Sequence, residues 1–229
     1  MPNSLEAHLR LLFAAKRIGV VLDVGGHWGE YGSRLRALGY AGRIVSFEPV
    51  AATYQRLQAR AATDPAWTTH QYALGATEGG ADINIPAADD FASLLQPTAY
   101  AVQRFGPVVA VQRTERIAVK RLDRVFRECA SRPAGSGVLL KVDAQGTDLD
   151  VVDGAAAVLP EIDAIQLELS VIPLYQGASS FLTAAQRLSE LGYDLSGLFP
   201  VSRDGDRLRL IDADCVFVRR PSAEPALIP

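Results

Sequence analysis

Apolar side chains recur at helical spacing at Leu5, Leu9, Leu12 and Phe13, with Glu6, Arg10 and Lys16 between them. The spacing predicts an amphipathic helix within residues 1–17, packed on the rest of the domain. The pattern then switches to an unbroken branched run, IGVVLDV, which predicts a buried strand over Ile18–Val24. A helix over Glu30–Leu38 closes at Gly39, and a second apolar run predicts a strand over Arg43–Phe47. Within Ala51–Ala62, Tyr54, Leu57 and Ala61 share one helical face, and Pro49 suits its entrance. Trp67–Tyr72 reads as a third, short strand. This order is the opening of a doubly wound α/β sheet.

The pattern weakens over 76–136. GGADINIP reads as a strand, Ala92–Phe105 as a helix interrupted at Pro97, and VVAVQRTERIAV as an edge or hairpin strand. LDRVFREC follows as a short amphipathic helix and SRPAGSG as a linker. We expect one enlarged crossover here, able to form a pocket wall at the carboxyl edge of the sheet. Regularity returns with a strand over Val138–Val142. Thr147 is expected to cap the next helix, with Leu149, Val152 and Val158 near its apolar face and Asp148 and Asp150 complementing its dipole. Ala164–Leu169 reads as a strand and Ser180–Leu191 as a helix stopped by Gly192. YDLSGLFPV, the turn RDGD, LRLI and CVFVRR predict a closing antiparallel hairpin, and PSAEPALIP a frayed tail. The length suits a single domain over 1–229.

Composition mainly excludes. A formal charge of −3 and no long basic run give nucleic-acid binding no support. Cys129 and Cys215 show no CxxC spacing and read as buried small apolar residues. His8, His27 and His70 form no HExxH cluster, so no metal site is expected. No apolar stretch has the length of a signal peptide core or a membrane span, so the expectation is a cytoplasmic protein without a membrane span. Oligomeric state is not legible in one chain.

The chemistry gathers at DVGGHWG, residues 23–29, where a strand turns into a helix. Glycines there let a ligand approach the backbone. A dinucleotide site has GxGxxG, so that pyrophosphate rests on the helix start. Here Gly25, Gly26 and Gly29 make GGxxG, preceded by Asp23. A carboxylate at that place repels pyrophosphate and suits an amino group or a sulfonium. Glu48, ending the second strand, can accept both hydroxyls of a ribose, which fits either cofactor. Together these features favour S-adenosylmethionine over a nicotinamide cofactor.

The sequence resembles the FkbM family of S-adenosylmethionine-dependent methyltransferases from about residue 20 to 219. The marks are LDVGGHWGEYG, SFEP, ALG, VKRLD, LLKVDAQGTDLDVVDGA, IQLELS and DADCVFVRR. The resemblance implies a class I methyltransferase fold, Rossmann-like, with a mostly parallel seven-stranded sheet. It also implies O-methylation, usually of hydroxyls on sugars or polyketide-type small molecules, so the expected partner is a hydroxylated small molecule or glycan. By the same resemblance Asp23, Gly25 and Gly29 would surround the methionine part, Glu48 the ribose, and Leu74 and Gly75 the adenine. Asp143 would face the methyl-transfer site. Gly26 and His27 depart from the family's usual Ala-Asn. His27 reads either as a donor to the methionine carboxylate or as a residue accepting the turn geometry.

Methyl transfer to an alcohol requires alignment and removal of a proton. Lys141, Asp143 and Gln145 alternate in VLLKVDAQG and would share one side of the strand while it lasts. Asp143 is the leading acid or base candidate; it also reads as a hydrogen-bond anchor, and less readily as a metal ligand. Lys141 reads as the partner of a carboxylate, or as a base if burial lowers its pKa. Glu168, in the otherwise apolar IQLEL, reads as a substrate ligand or a member of a buried pair. Tyr175 reads as pocket-lining or as a packed ring, and Arg113, Arg116, Lys120 and Arg121 as a solvated face. Two other functions stay open: an N-methyltransferase, for which DAQG lacks a proline-aromatic clamp, and a cofactor-binding accessory protein without catalysis.

Overall fold

Ser4 opens the first helix, α1 (Leu5–Lys16), by accepting a hydrogen bond from the Ala7 amide, and Arg17 closes it in a left-handed conformation. The computed structural model describes residues 4–205 and 208–221. Residues 1–3 of the expected first helix, Asp206 of the expected RDGD turn, and 222–229 of the expected frayed tail lie outside the described residues.

Alternating strands and helices follow: β1 (Ile18–Val24), α2 (Glu30–Ala37), β2 (Arg43–Phe47), α3 (Ala51–Ala61) and β3 (Trp67–His70). After an insertion come α5 (Leu122–Cys129), β7 (Gly137–Val142), α6 (Asp148–Gly154), β8 (Ala164–Ser170) and α7 (Phe181–Glu190). The hairpin β9 (Tyr193–Asp204) and β10 (Arg209–Arg219) closes the chain. The sheet order is β3-β2-β1-β7-β8-β10-β9. All neighbours are parallel except β10, which is antiparallel to both β8 and β9. The expected seven-stranded α/β sheet with its terminal hairpin is therefore the observed one.

Two apolar layers hold this sheet. Val20, Leu22 and Val24 of β1 face α5, α6 and α7. Ile18 and Val21 face the other way, with Leu9 of α1, Leu35 of α2 and Leu57 of α3. The strands are apolar on both faces because helices cover both. Within the insertion, β4 (Ala73–Leu74), β6 (Val111–Lys120) and β5 (Gly79–Pro86) form a second sheet in the order β4-β6-β5. Gly154 ties α6 to this insertion, since a Cβ there would lie 2.1 Å from the Gly75 carbonyl oxygen.

Three local expectations need correction. The strand from Trp67 ends at His70 rather than Tyr72, and the chain then crosses to the second sheet. The helix expected over Ala92–Phe105 is only α4 (Ala99–Phe105), capped by Thr98. Pro97 disfavours helix before it, and Ser93 exchanges backbone hydrogen bonds with Asn84 instead. Thr147 occupies the start of α6 but does not cap it through its side chain. Its hydroxyl donates backward to Ala144, while the Asp148 carboxylate accepts the amides of Ala144 at 3.1 Å and Gly146 at 3.2 Å. Burial pushes the Asp148 carboxyl up to about 7 against the pull of those amides.

No helix among the described residues is long and apolar enough to cross a membrane. Cys129 and Cys215 are buried and free.

Candidate active site

The carboxyl ends of β1, β2, β7 and β8 open on a cavity of about 630 Å³. Gly25, Gly26 and His27 from the first turn line it, as do Glu48, Leu74, Lys141, Asp143 and Glu168. Ile83 of β5, Ile117 of β6, Asp89, Asp90 and residues 92–94 form a further wall from within 76–136. Asp23, Gly29 and Gly75, also expected around the cofactor, do not line it. Gly29 instead precedes α2 with φ 86°, and its hydrogen face packs on Leu57, Arg60 and Trp67. Gly75 donates its amide to Lys120.

The turn brings backbone close to the cavity for a steric reason. Gly25 has φ 72°, and a Cβ there would lie 2.0 Å from the Asp143 carbonyl oxygen. Only glycine fits this approach of the β1 turn to the β7 turn. His27 adopts φ 45°, so the turn-geometry reading of this residue describes its backbone. Its side chain does more: Nε2 lies 3.3 Å from Asp89 Oδ1 and Nδ1 lies 3.4 Å from Glu30 Oε2.

Asp23 does not have the expected surroundings. It is completely buried, with Oδ2 accepting from Ser46 Oγ at 2.7 Å and Oδ1 lying 3.2 Å from Lys141 Nζ. Ser46 in turn accepts from Trp67 Nε1 at 3.0 Å. The cation that faces Asp23 is the protein's own lysine. This follows from the register, in which Asp23 is the direct partner of Lys141.

The surroundings of Lys141 favour its ammonium form. Burial works to remove its proton, but Asp23 and Asp143 outweigh it and hold the ammonium above the ordinary lysine range. Its remaining donors go to the carbonyls of Val24 and Gly25. Lys141 locks the two turns together and stays charged.

Asp143 is half-buried at the end of β7. Its Oδ1 accepts from Gln145 Nε2 at 2.7 Å, and Tyr175 donates to Gln145 Oε1 at 2.6 Å. Tyr175 is itself buried and outside the lining of the main cavity. Glu168 faces the cavity with its carboxyl pushed well up by burial, and further up by Asp143, Asp214 and Asp212.

Four further lining residues were not singled out from sequence: Tyr31, Arg34, Gln166 and Asp214. Tyr31 donates to Gln166 Oε1 at 2.7 Å, and Gln166 Nε2 donates to Asp214 Oδ1 at 2.9 Å. Gln166 and Glu168 are two apart on β8, as Asp212 and Asp214 are on β10, so each pair shares a face. Polar residues at alternate positions of an otherwise apolar strand were the available signal.

Glu48 lies just beyond β2 and is 6% exposed. Its two oxygens accept the amides of Val50 at 2.9 Å and His27 at 3.1 Å. Burial raises its carboxyl to about 7, against those amides. The set fits S-adenosylmethionine: a glycine approach for the methionine part, a carboxylate for the ribose, and an apolar wall of Leu74, Ile83 and Ile117 for the base. Ribose hydroxyls donate to a carboxylate, so if Glu48 receives the ribose, binding favours its ionised form. Cofactor affinity should then fall as pH drops below about 7, by up to about tenfold per pH unit. Calorimetry in buffers of different ionisation enthalpy should record proton release on binding. An affinity that is flat between about pH 6 and pH 8 would contradict this.

Among solved structures, the chain is similar to an uncharacterised protein from Listeria monocytogenes serotype 4b, at 11% identity and TM-score 0.51, covering 99% of this chain and 72% of that one. It is also similar to the methyltransferase domain of bacterial CtHen1, at 11% identity and TM-score 0.50, covering 93% and 96%. LepI in complex with SAM matches 89% of this chain at 14% identity and TM-score 0.41, but the chain spans only 43% of LepI. No curated protein matches. The first two likenesses speak for the fold alone. The match that speaks for the family is the FkbM methyltransferase domain, which runs over residues 23–195. It starts at the buried Asp23 and takes in the glycine turn, Glu48, Asp143 and Glu168, and with it the chain belongs to the FkbM family of S-adenosylmethionine-dependent methyltransferases.

Proposed function

We propose that the protein methylates a hydroxyl of a small molecule, a sugar or polyketide-type compound, in the cytoplasm. The observation that carries this reading is Glu168, a cavity-facing carboxyl whose affinity for a proton is raised by burial and by neighbouring acids. An alcohol is a poor nucleophile until its proton has somewhere to go, and this carboxyl, once ionised, is a suitable acceptor. Bound S-adenosylmethionine supplies an electrophilic methyl group and a neutral thioether leaving group. Glu168 would take the hydroxyl proton as attack proceeds. Asp143, fixed by Gln145 and Lys141, would orient the acceptor and sustain the basicity of Glu168. Asp23 and Lys141 act beneath the site, as the frame on which both turns rest.

The lining also bears on the class of acceptor. Glu6, Glu30, Asp89, Asp90, Asp143 and Asp214 face the cavity, against the cations Arg34 and Lys141. Such a lining disfavours the phosphates of a nucleic acid and tolerates a neutral hydroxylated molecule. Two buried free cysteines accord with the cytoplasm.

The test is methyl-labelled S-adenosylmethionine offered with panels of sugars, polyketides and amines, the methyl position being read by NMR. An O-methyl product is expected. Label on nitrogen would replace the reading with N-methylation, and saturable cofactor binding without transfer to any panel would replace it with the accessory role.

A further inference from the structure

Four non-glycine residues among those described have positive φ: Arg17, His27, Gln145 and Leu208. This conformation is strained for an ordinary side chain. Two of the four, His27 at 45° and Gln145 at 48°, line the cofactor cavity. Both hold the same piece of chain. Segment 88–95 borders the cavity and contributes Asp89, Asp90, Ala92, Ser93 and Leu94 to its lining. At one end the buried Ser93 hydroxyl donates to the Gln145 carbonyl at 2.7 Å. At the other, Asp89 Oδ1 meets His27 Nε2 at 3.3 Å.

The two attachments differ in kind. The Ser93 end is neutral and reinforced, since Ser93 also exchanges both backbone hydrogen bonds with Asn84. At the Asp89 end, the carboxylate's contact with the first turn is through one imidazole. That ring is held in place: it stacks on Trp28 at 4.7 Å between centroids, and its other nitrogen faces Glu30. Arg56 lies over the Trp28 ring, 4.4 Å from its centroid, and Arg60 lies 4.0 Å from Glu30. The backbone amide of the same His27 meets the Glu48 carboxylate. One residue therefore contacts both the ribose acid and the segment bordering the cavity.

We propose that His27 is a positioning residue that clasps segment 88–95 beside the cofactor cavity through Asp89, and so sets how long cofactor and product stay bound. The inference rests on S-adenosylmethionine being the cofactor, not on the class of acceptor. Asparagine tolerates positive φ, so His27→Asn removes the clasp while keeping the turn. Asp89→Ala removes the partner from the other side, at a half-exposed position on the rim.

The test measures dissociation of S-adenosylhomocysteine by stopped flow from the full chain and from both single variants and the double variant. Each single variant should release it about five- to twentyfold faster, the range for a partly exposed, charge-assisted hydrogen bond. The double variant should be no faster than the faster single one, because both act on one contact. In turnover, KM for the cofactor should rise by more than kcat falls. Unchanged dissociation in both single variants, or effects that simply multiply in the double, would overturn the clasp while leaving the cofactor assignment intact.

Discussion

Replacing Lys141 with methionine should destabilise the protein by about 3–5 kcal/mol. Lys141 is 8% exposed and Asp23 is not exposed at all, with Nζ and Oδ1 3.2 Å apart. Without the ammonium, Asp23 remains a buried charge whose other partner is the Ser46 hydroxyl. Desolvation of an ion is offset only by a well-placed counter-ion, so removing one member costs far more than removing both. In a chain of this length the loss corresponds to a fall of about 6–20 °C in Tm. The double variant Asp23→Asn with Lys141→Met should recover a large part, since no buried charge is left. Denaturant titrations of the four proteins in this cycle measure the coupling directly. A loss below about 1 kcal/mol in the single variant would show that the pair is solvated and that its geometry carries little energy.

The second large effect is catalytic. Glu168→Gln should lower kcat by about 10²- to 10⁴-fold, the usual contribution of a positioned general base. The sign of the pH dependence follows from the raised pKa. Below it Glu168 holds a proton and cannot accept another, so kcat/KM should climb as pH rises through that value and level off above it. The rising limb should lie above the ordinary carboxylate range. Asp143→Asn removes one of the charges that raise Glu168, so it should move the limb to lower pH while leaving measurable turnover. The opposite pattern, in which Asp143→Asn abolishes turnover and Glu168→Gln only displaces the limb, would transfer the role of base to Asp143.

These two predictions concern residues that were visible in the sequence with only part of their meaning. The run IGVVLDV marked β1 without error because a strand covered on both faces has to be apolar throughout. The acid after it was equally plain, but its partner was not. Lys141 reaches Asp23 only through the pairing of β1 with β7, across the whole intervening insertion. Asp23 therefore read as a ligand for the cofactor's cation, with no sign of the lysine that faces it. His27 read as unusual, yet Asp89 could not be identified as its partner, because segment 88–95 has no periodicity to place it. Thr147 failed for a local reason: the adjacent aspartate accepts the turn amides better than a hydroxyl does. What periodicity conveyed well was the doubly wound frame. What it conveyed poorly was every contact made between an element of the frame and the insertion.

The position of that insertion has a consequence for how the protein can vary. The chain between β1 and β7 forms one long loop, closed when Val21 pairs with Leu139 and Leu22 with Leu140. The entropy lost on closing such a loop grows only with the logarithm of its length, about 0.6 kcal/mol for each doubling. Lengthening or shortening the chain between β5 and β6 therefore hardly alters the free energy of assembling the central sheet. The cavity wall that this segment adds beside the glycine turn can be rebuilt while the frame beneath it stays the same, which gives this fold an inexpensive way to change what it accepts.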